Sequence, residues 1–308
     1  MSSARPIHSA LPALDRAPVW LNSEPLTAEA LRGRVVAVDF WTYSCVNWLR
    51  TLPYISAWRE RYRDRGLVVV GVHAPEFGFE HDLDNVRRAV NELGVVHPVV
   101  IDNDFAIWQA FANRYWPALY LVDGDGRLRF EHFGEGAYEE SERAIQQLLG
   151  VDEEPARVDA GGLAEAADWD TLRSPETYVG AARGERRIDQ RPDALDLNEW
   201  GLTGRWSIGD EAAALEASGG SIAYRFEARD LNLVLAPPSS GAPVRFAVRL
   251  DGRPPGDDHG LDVDDGGDGV VEQPRMYQLV RQARGAAQRT FEIMFSDPGV
   301  RAYVFTFG

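Results

Sequence analysis

The sequence predicts an α/β domain followed by an all-β sandwich. Two observations carry this: up to Gly150, apolar runs alternate with helical patterns, and from Trp200 onward short alternating strands follow one another without a helical window. In the first region "VVAVDFW" (Val35–Trp41), "LVVVGVHA" (Leu67–Ala74) and "HPVVID" (His97–Asp102) read as strands buried on both faces. Leu49, Leu52, Ile55, Trp58 and Tyr62 recur at spacings of three and four, which places them on one face of a helix. "LDNVRRAVNELG" (Leu83–Gly94) is a helix with a glycine stop, and "FAIWQAFANR" (Phe105–Arg114) is a further one. "ALYLVDGDGRLRFEHFG" reads as a hairpin around Asp123-Gly124-Asp125-Gly126, and "YEESERAIQQLLG" closes the region as a helix. Together these elements give a central sheet with helices on both faces.

Beyond Gly150 the pattern changes twice. From Val151 to Glu199 the chain is rich in Asp, Glu, Ala, Arg and Gly with weak periodicity, so little apolar surface is present to offset the entropy of ordering. Then "GSIAYRFEA", "LNLVLAP", "VRFAVRLDG", "RMYQLVRQ", "RTFEIMFS" and "RAYVFTFG" read as strands of a β-sandwich or jelly roll. The expected organisation is an N-terminal tail over 1–17, an α/β domain over 18–150, a linker with some docked structure over 151–199, and a β-sandwich over 200–308.

Composition narrows the function classes. The 308 residues carry a formal net charge of −16, and all 32 basic residues are arginine. Such a surplus of acid opposes nucleic-acid phosphates and anionic membrane surfaces. No apolar run approaches the length that spans a bilayer, and the N-terminus lacks a signal-peptide pattern, so no membrane insertion and a cytoplasmic location are expected. The six histidines show no ligand spacing, and one cysteine excludes a disulfide framework, so neither metal nor cofactor is expected. "DVDDGGDGVVEQ" (Asp262–Gln273) opens like an EF-hand loop, but Gln273 stands where a bidentate acid should clamp calcium; it reads as a solvated acidic hairpin.

The chemistry centres on "VDFWTYSCVNWLR" (Val38–Arg50). A strand that runs into a helix through Cys45 sets its sulfur at the helix N-terminus. Unpaired N–H groups and the positive end of the dipole there pull a thiol below its usual pKa of about 8.5. A lone cysteine buried as a small apolar residue is the alternative, and from the cysteine alone it is the commoner state.

The neighbouring motifs decide between them. "DFWTYSC", containing Trp41 and Thr42, together with "GVHAPEFGFE", "YWPALYLVD" and "HFGEG", resembles a thioredoxin-like domain of the TlpA/DipZ redoxin type over roughly Pro18 to Gly150. "YRFEARDLNLVL", "MYQLVRQ" and "DPGVRAYVFTFG" resemble the carbohydrate-binding-module-like sandwich that accompanies this branch. The resemblance implies that Asp39 is the buried acid before the active site, that Pro53 kinks the first helix, and that the Trp116–Pro117 bond is cis and faces Cys45. It likewise implies that Glu76 is an acid near the thiol, although an ordinary exposed loop carboxylate is the better default for it. Asp39 is either a proton store for Cys45 or a hydrogen-bonded polar group of the core.

The family pattern is CxxC, yet the second position here is Trp48. Without a second cysteine, a mixed disulfide at Cys45 persists until an outside thiol attacks it, so a dithiol cycle is excluded. Trp48, one turn along, is expected to sit beside the sulfur and control access to it. The expected function is a monothiol redox protein whose partners are thiol- or disulfide-bearing proteins or low-molecular-weight thiols. A non-catalytic peptide- or carbohydrate-binding protein on the same scaffold is the alternative. A peptide or sugar on the sandwich would need an aromatic platform, for which Trp200, Trp206, Tyr277 and Tyr303 are candidates, with core packing the better default for each. A one-cysteine peroxidase is a weaker reading: Thr42 and Cys45 supply TxxC, but Val38 stands where the peroxidase proline belongs and Pro117 where its activating arginine does.

Overall fold

In the computed structural model, residues 10–188 and 195–308 are described; the expected tail enters this range at Ala10, and residues 189–194 of the expected linker lie outside it. The chain divides into two units, Met1–Ala164 and Glu165–Gly308.

The first unit is built around one buried strand. Its elements are β1 (Trp20–Leu21), β2 (Val35–Trp41), α1 (Val46–Tyr62), β3 (Leu67–His73), α2 (Leu83–Glu92), β4 (Val99–Ile101), α3 (Ala106–Ala110), β5 (Ala118–Val122), β6 (Leu128–Phe133) and α4 (Tyr138–Leu149). They form a six-stranded sheet ordered β1-β4-β3-β2-β5-β6, with β2 parallel to β3 and antiparallel to β5. All of β2 is buried, because alternate side chains enter different cores. Val36, Val38 and Phe40 pack with Leu11, Leu14, Ile107 and Phe111. Val35 and Ala37 pack with Ile55, Trp58 and Tyr62 of α1 and Ile145 of α4. Trp58 Nε1 and the Tyr62 hydroxyl both donate to buried Glu142 at 3.1 and 2.6 Å, which ties α1 to α4.

Two sequence expectations need adjusting. The helix expected over Phe105–Arg114 is only the five residues of α3, because Phe105 (φ 59°) and Ala112 (φ 51°) are left-handed at its two ends. The expected linker is divided between the units. Its first part docks on the first unit, where the Ala156 N–H donates to both oxygens of Glu142 at 2.9 Å and Arg61 and Arg65 reach Glu153. From Glu165 it goes with the second unit, where β7 (Thr177–Tyr178) pairs with the final strand.

The second unit continues with β8 (Trp200–Thr203), β9 (Trp206–Ile208), β10 (Ala213–Leu215), β11 (Ser221–Ala228), β12 (Asp230–Ala236), β13 (Val244–Leu250), β14 (Asp268–Val271), β15 (Arg275–Arg281), β16 (Ala287–Phe295) and β17 (Arg301–Phe307). One sheet runs β15-β12-β17-β10-β9 and the other β14-β13-β16-β11-β8, enclosing a core that includes Tyr224, Leu233, Phe291, Ile293 and Phe305. Strands β8 to β10 are too short to display alternation in sequence. Of the aromatics considered as platforms, Trp200, Tyr277 and Tyr303 are buried in the packing and offer no stacking face. Trp206 is half-buried, with its ring against Phe295 and its Nε1 donating to Thr203 O. In the acidic stretch before β14, Asp262 accepts bonds from Arg275 Nη2 (2.7 Å) and Gln278 N (2.8 Å), so both of its oxygens serve the hairpin. No helix among the described residues is long and apolar enough to cross a membrane.

Candidate active site at the cysteine turn

Cys45 lies where β2 hands over to α1. It is the N-cap of that 17-residue helix, with extended backbone (φ −79°, ψ 112°). Its N–H donates to Thr42 O at 3.3 Å and its carbonyl accepts the first helical bond, from Leu49 N at 3.0 Å. Thr42, Ser44 and Val46 around it are buried, whereas Cys45 is partly exposed. The helix runs on through Pro53.

The sheet register brings the second motif to the same end. Ala118 pairs with Phe40, so Pro117 lies beside the C-terminal end of β2, and the Trp116–Pro117 peptide is cis as expected. Trp116 Nε1 donates to Ala74 O at 3.0 Å, past the end of β3, and its ring lies 4.3 Å from that of Trp108. The Pro117 carbonyl accepts Gly134 N at 2.9 Å, and the next residue, Glu135, pairs with Arg50 of α1 at 2.9 Å. Arg50 and Glu135 are 2% and 5% exposed. This desolvated pair therefore fixes the proline loop to the helix that carries Cys45.

Asp39 and Trp48 meet behind the turn. Trp48 is fully buried, its ring stacks on Trp41 at 4.1 Å, and its Nε1 donates to Asp39 Oδ2 at 2.9 Å. Burial pushes the Asp39 carboxyl up to about 7, with the Trp48 bond pulling it partly back. Trp48 is therefore not a gate over the sulfur, as its spacing suggested. Spacing along a helix fixes which residues share a face but not which way that face turns, and here Trp48 turns into the core toward Trp41.

The acid beside the turn is one that the sequence reading missed. Glu76 is half-buried, and its backbone N–H donates to Glu80 Oε2 at 2.6 Å. Glu80, fully buried in the short turn Gly78–His81, also accepts Phe77 N (3.0 Å) on Oε2 and the Ser44 hydroxyl (2.6 Å) on Oε1. Burial raises its carboxyl to about 7, against the pull of the Ser44 bond and, more weakly, of the Thr42 hydroxyl. The only sequence signal was a glutamate three residues after Phe77, a position from which it can bond back to the start of its own turn.

Buried imidazoles complete the surroundings. His73 and His97 are pushed down by burial to about 3 and about 4, so both are neutral near pH 7. His73 lies edge-on to Trp41 at 4.9 Å. Gly71 makes room for these rings, since a Cβ there would stand 2.9 Å from Trp41 Nε1 and 3.0 Å from His97 Nε2. Gly71→Ala is expected to lower unfolding free energy by about 1–3 kcal/mol through overpacking. An unchanged urea midpoint would show that the rings yield. Among the described residues no three His, Cys, Asp or Glu side chains gather to hold a metal ion.

Residues 174–308 match the family described as thioredoxin-like C-terminal domain. Protein DipZ of Mycobacterium bovis is 32% identical over 308 residues, covering 94% of this chain and 41% of DipZ, so the chain spans less than half the length of that relative. Thiol-disulfide oxidoreductase YkuV of Bacillus subtilis is 29% identical over 139 residues, which are 45% of this chain and 93% of YkuV. The solution structure of a thioredoxin-like protein in the oxidized form is 31% identical and covers 47% of this chain and 97% of its own, with a TM-score of 0.42.

Proposed function

From the premise that this chain is a thioredoxin-like domain followed by a DipZ-type C-terminal domain, we propose that it performs monothiol–disulfide exchange at Cys45. The observation that carries this reading is the place of Cys45: the N-cap of a long helix, partly exposed, at the end of the sheet where the register also sets Pro117. At such a cap the helix N–H groups and dipole favour the thiolate. The thiolate attacks one sulfur of a partner disulfide. A Cys45–partner disulfide forms, the partner's S–S bond breaks, and the departing thiolate takes a proton from solvent. With Trp48 in place of a second thiol, release requires an outside thiol, whose attack regenerates Cys45. The backbone beside Pro117 lies at the right end of the sheet to hold an extended partner chain, and Asp39 holds Trp48 in the space behind the turn.

Oxidised glutathione tests this directly. Native protein is expected to gain one glutathione by intact mass, reversibly with dithiothreitol, while Cys45→Ser gains none. The alkylation rate of Cys45 is expected to follow a titration with its midpoint below the usual thiol value of about 8.5. Modification that occurs only after unfolding would sink the redox reading and favour a binding protein on the same scaffold.

A further inference from the structure

We propose that Glu80 is the positioning residue of the cysteine turn, and that its proton is relayed to that turn by the Ser44 hydroxyl; this rests on the redox reading of Cys45. The hydrogen-bond pattern fixes where the proton goes. Oε2 already accepts two backbone N–H groups, from Glu76 at 2.6 Å and Phe77 at 3.0 Å, and neither donor can reverse. Protonation therefore falls on Oε1, which faces the Ser44 hydroxyl at 2.6 Å.

A hydroxyl both donates and accepts, so the Ser44–Glu80 bond survives protonation by turning round. With Glu80 ionised, Ser44 donates to it and the hydroxyl proton is committed. With Glu80 protonated, the carboxyl donates, and the Ser44 proton is released toward another acceptor in a turn closed by the Cys45 N–H on Thr42 O. Ser44 is 2% exposed and adjoins Cys45, so water does not readily absorb the change. Two effects then act together on the sulfur. A neutral Glu80 removes a negative charge that opposes the thiolate, and it frees the hydroxyl proton of the residue that precedes Cys45. Burial places this exchange near neutrality, in the range where a redox thiol works.

Other ionisable groups lie on this side. Glu76 belongs to the same loop, His81 follows Glu80, and Tyr43 of the turn stacks on His73 at the end of β3. His73 stays neutral down to about pH 3 and so does not contribute near pH 7. Asp39 lies on β2 with its Oδ2 taken by Trp48.

The test is the pH profile of Cys45 alkylation by iodoacetamide, read by intact mass on the full chain. The intact protein is expected to show two steps, the lower one near pH 7. Glu80→Gln holds the protonated arrangement permanently, because its amide donates to Ser44 and its oxygen accepts the two N–H groups. It is expected to lose the lower step and move the thiol midpoint down by on the order of one pH unit. Ser44→Ala removes only the relay; it is expected to blunt the lower step while leaving the fold intact, which keeps the inference testable if Glu80→Gln folds poorly. A folded Glu80→Gln or Ser44→Ala protein with the unaltered two-step profile overturns the role of Glu80 and leaves the redox reading standing. A Cys45 that reacts only in denaturant overturns both.

Discussion

Asp230→Ala is expected to lower the stability of the second unit by about 3–5 kcal/mol, the range for removing one partner from a buried ionic network. Asp230 is fully buried at the start of β12. Its Oδ1 accepts Arg281 Nε at 2.7 Å, and its Oδ2 accepts Arg229 Nη2 at 2.6 Å. Glu165 takes the far ends of the same two guanidinium groups, at 2.9 and 2.8 Å. Removing Asp230 leaves two largely desolvated cations sharing one carboxylate, whereas removing Glu165, which is 43% exposed, leaves each arginine its buried partner. Glu165→Ala is accordingly expected to cost only about 0–1 kcal/mol. Urea unfolding of the three proteins compares them. Equal midpoint shifts for the two variants would show that burial is not what gives Asp230 its weight.

That network also explains part of what the sequence concealed. Nothing in the periodicity of residues 151–188 marks a boundary, because its apolar anchors, among them Val151, Leu172 and Val179, are scattered singly rather than repeated at a strand or helix spacing. Ala156 on Glu142 and Glu165 on Arg229 and Arg281 pull its two ends to different units. By contrast, β2, β3 and α1 were legible because burial on both faces and a spacing of three and four leave strong patterns. The cis bond at Trp116–Pro117 and the place of Cys45 followed from their motifs. The inward turn of Trp48 and the approach of Glu80 to Ser44 did not. Both are set by how elements pack across the sheet's end, 9 and 36 residues apart in sequence, and no local pattern encodes such a meeting.

The Asp39–Trp48 pair makes the second large prediction, a stability difference that depends on pH. Burial raises the Asp39 carboxyl from its ordinary value of 3.8 to about 7. The folded protein therefore binds this proton more tightly than the unfolded chain. The stability it confers is complete below pH 3.8 and is lost progressively as pH rises to about 7. Asparagine keeps an oxygen to accept the Trp48 N–H and never ionises. The stability of Asp39→Asn relative to the unaltered protein should thus climb between pH 4 and pH 7 and level off above, by on the order of 4 kcal/mol in total. Glu80, His73 and His97 also titrate differently in the two states, but they are common to both proteins and cancel in the difference. Urea unfolding at intervals from pH 5 to pH 8 measures the trend, and a difference that stays flat with pH would mean Asp39 is not held protonated by burial. Trp48→Phe is the complementary variant, since it keeps most of the packing on Trp41 and deletes the indole hydrogen bond to Oδ2. It should move the Asp39 transition to higher pH, because the bond it removes is the one that favours the carboxylate. A gain from Asp39→Asn alongside a loss from Trp48→Phe would show that the buried acid destabilises the fold at neutral pH. The indole that replaces the second thiol would then be what keeps that cost in check.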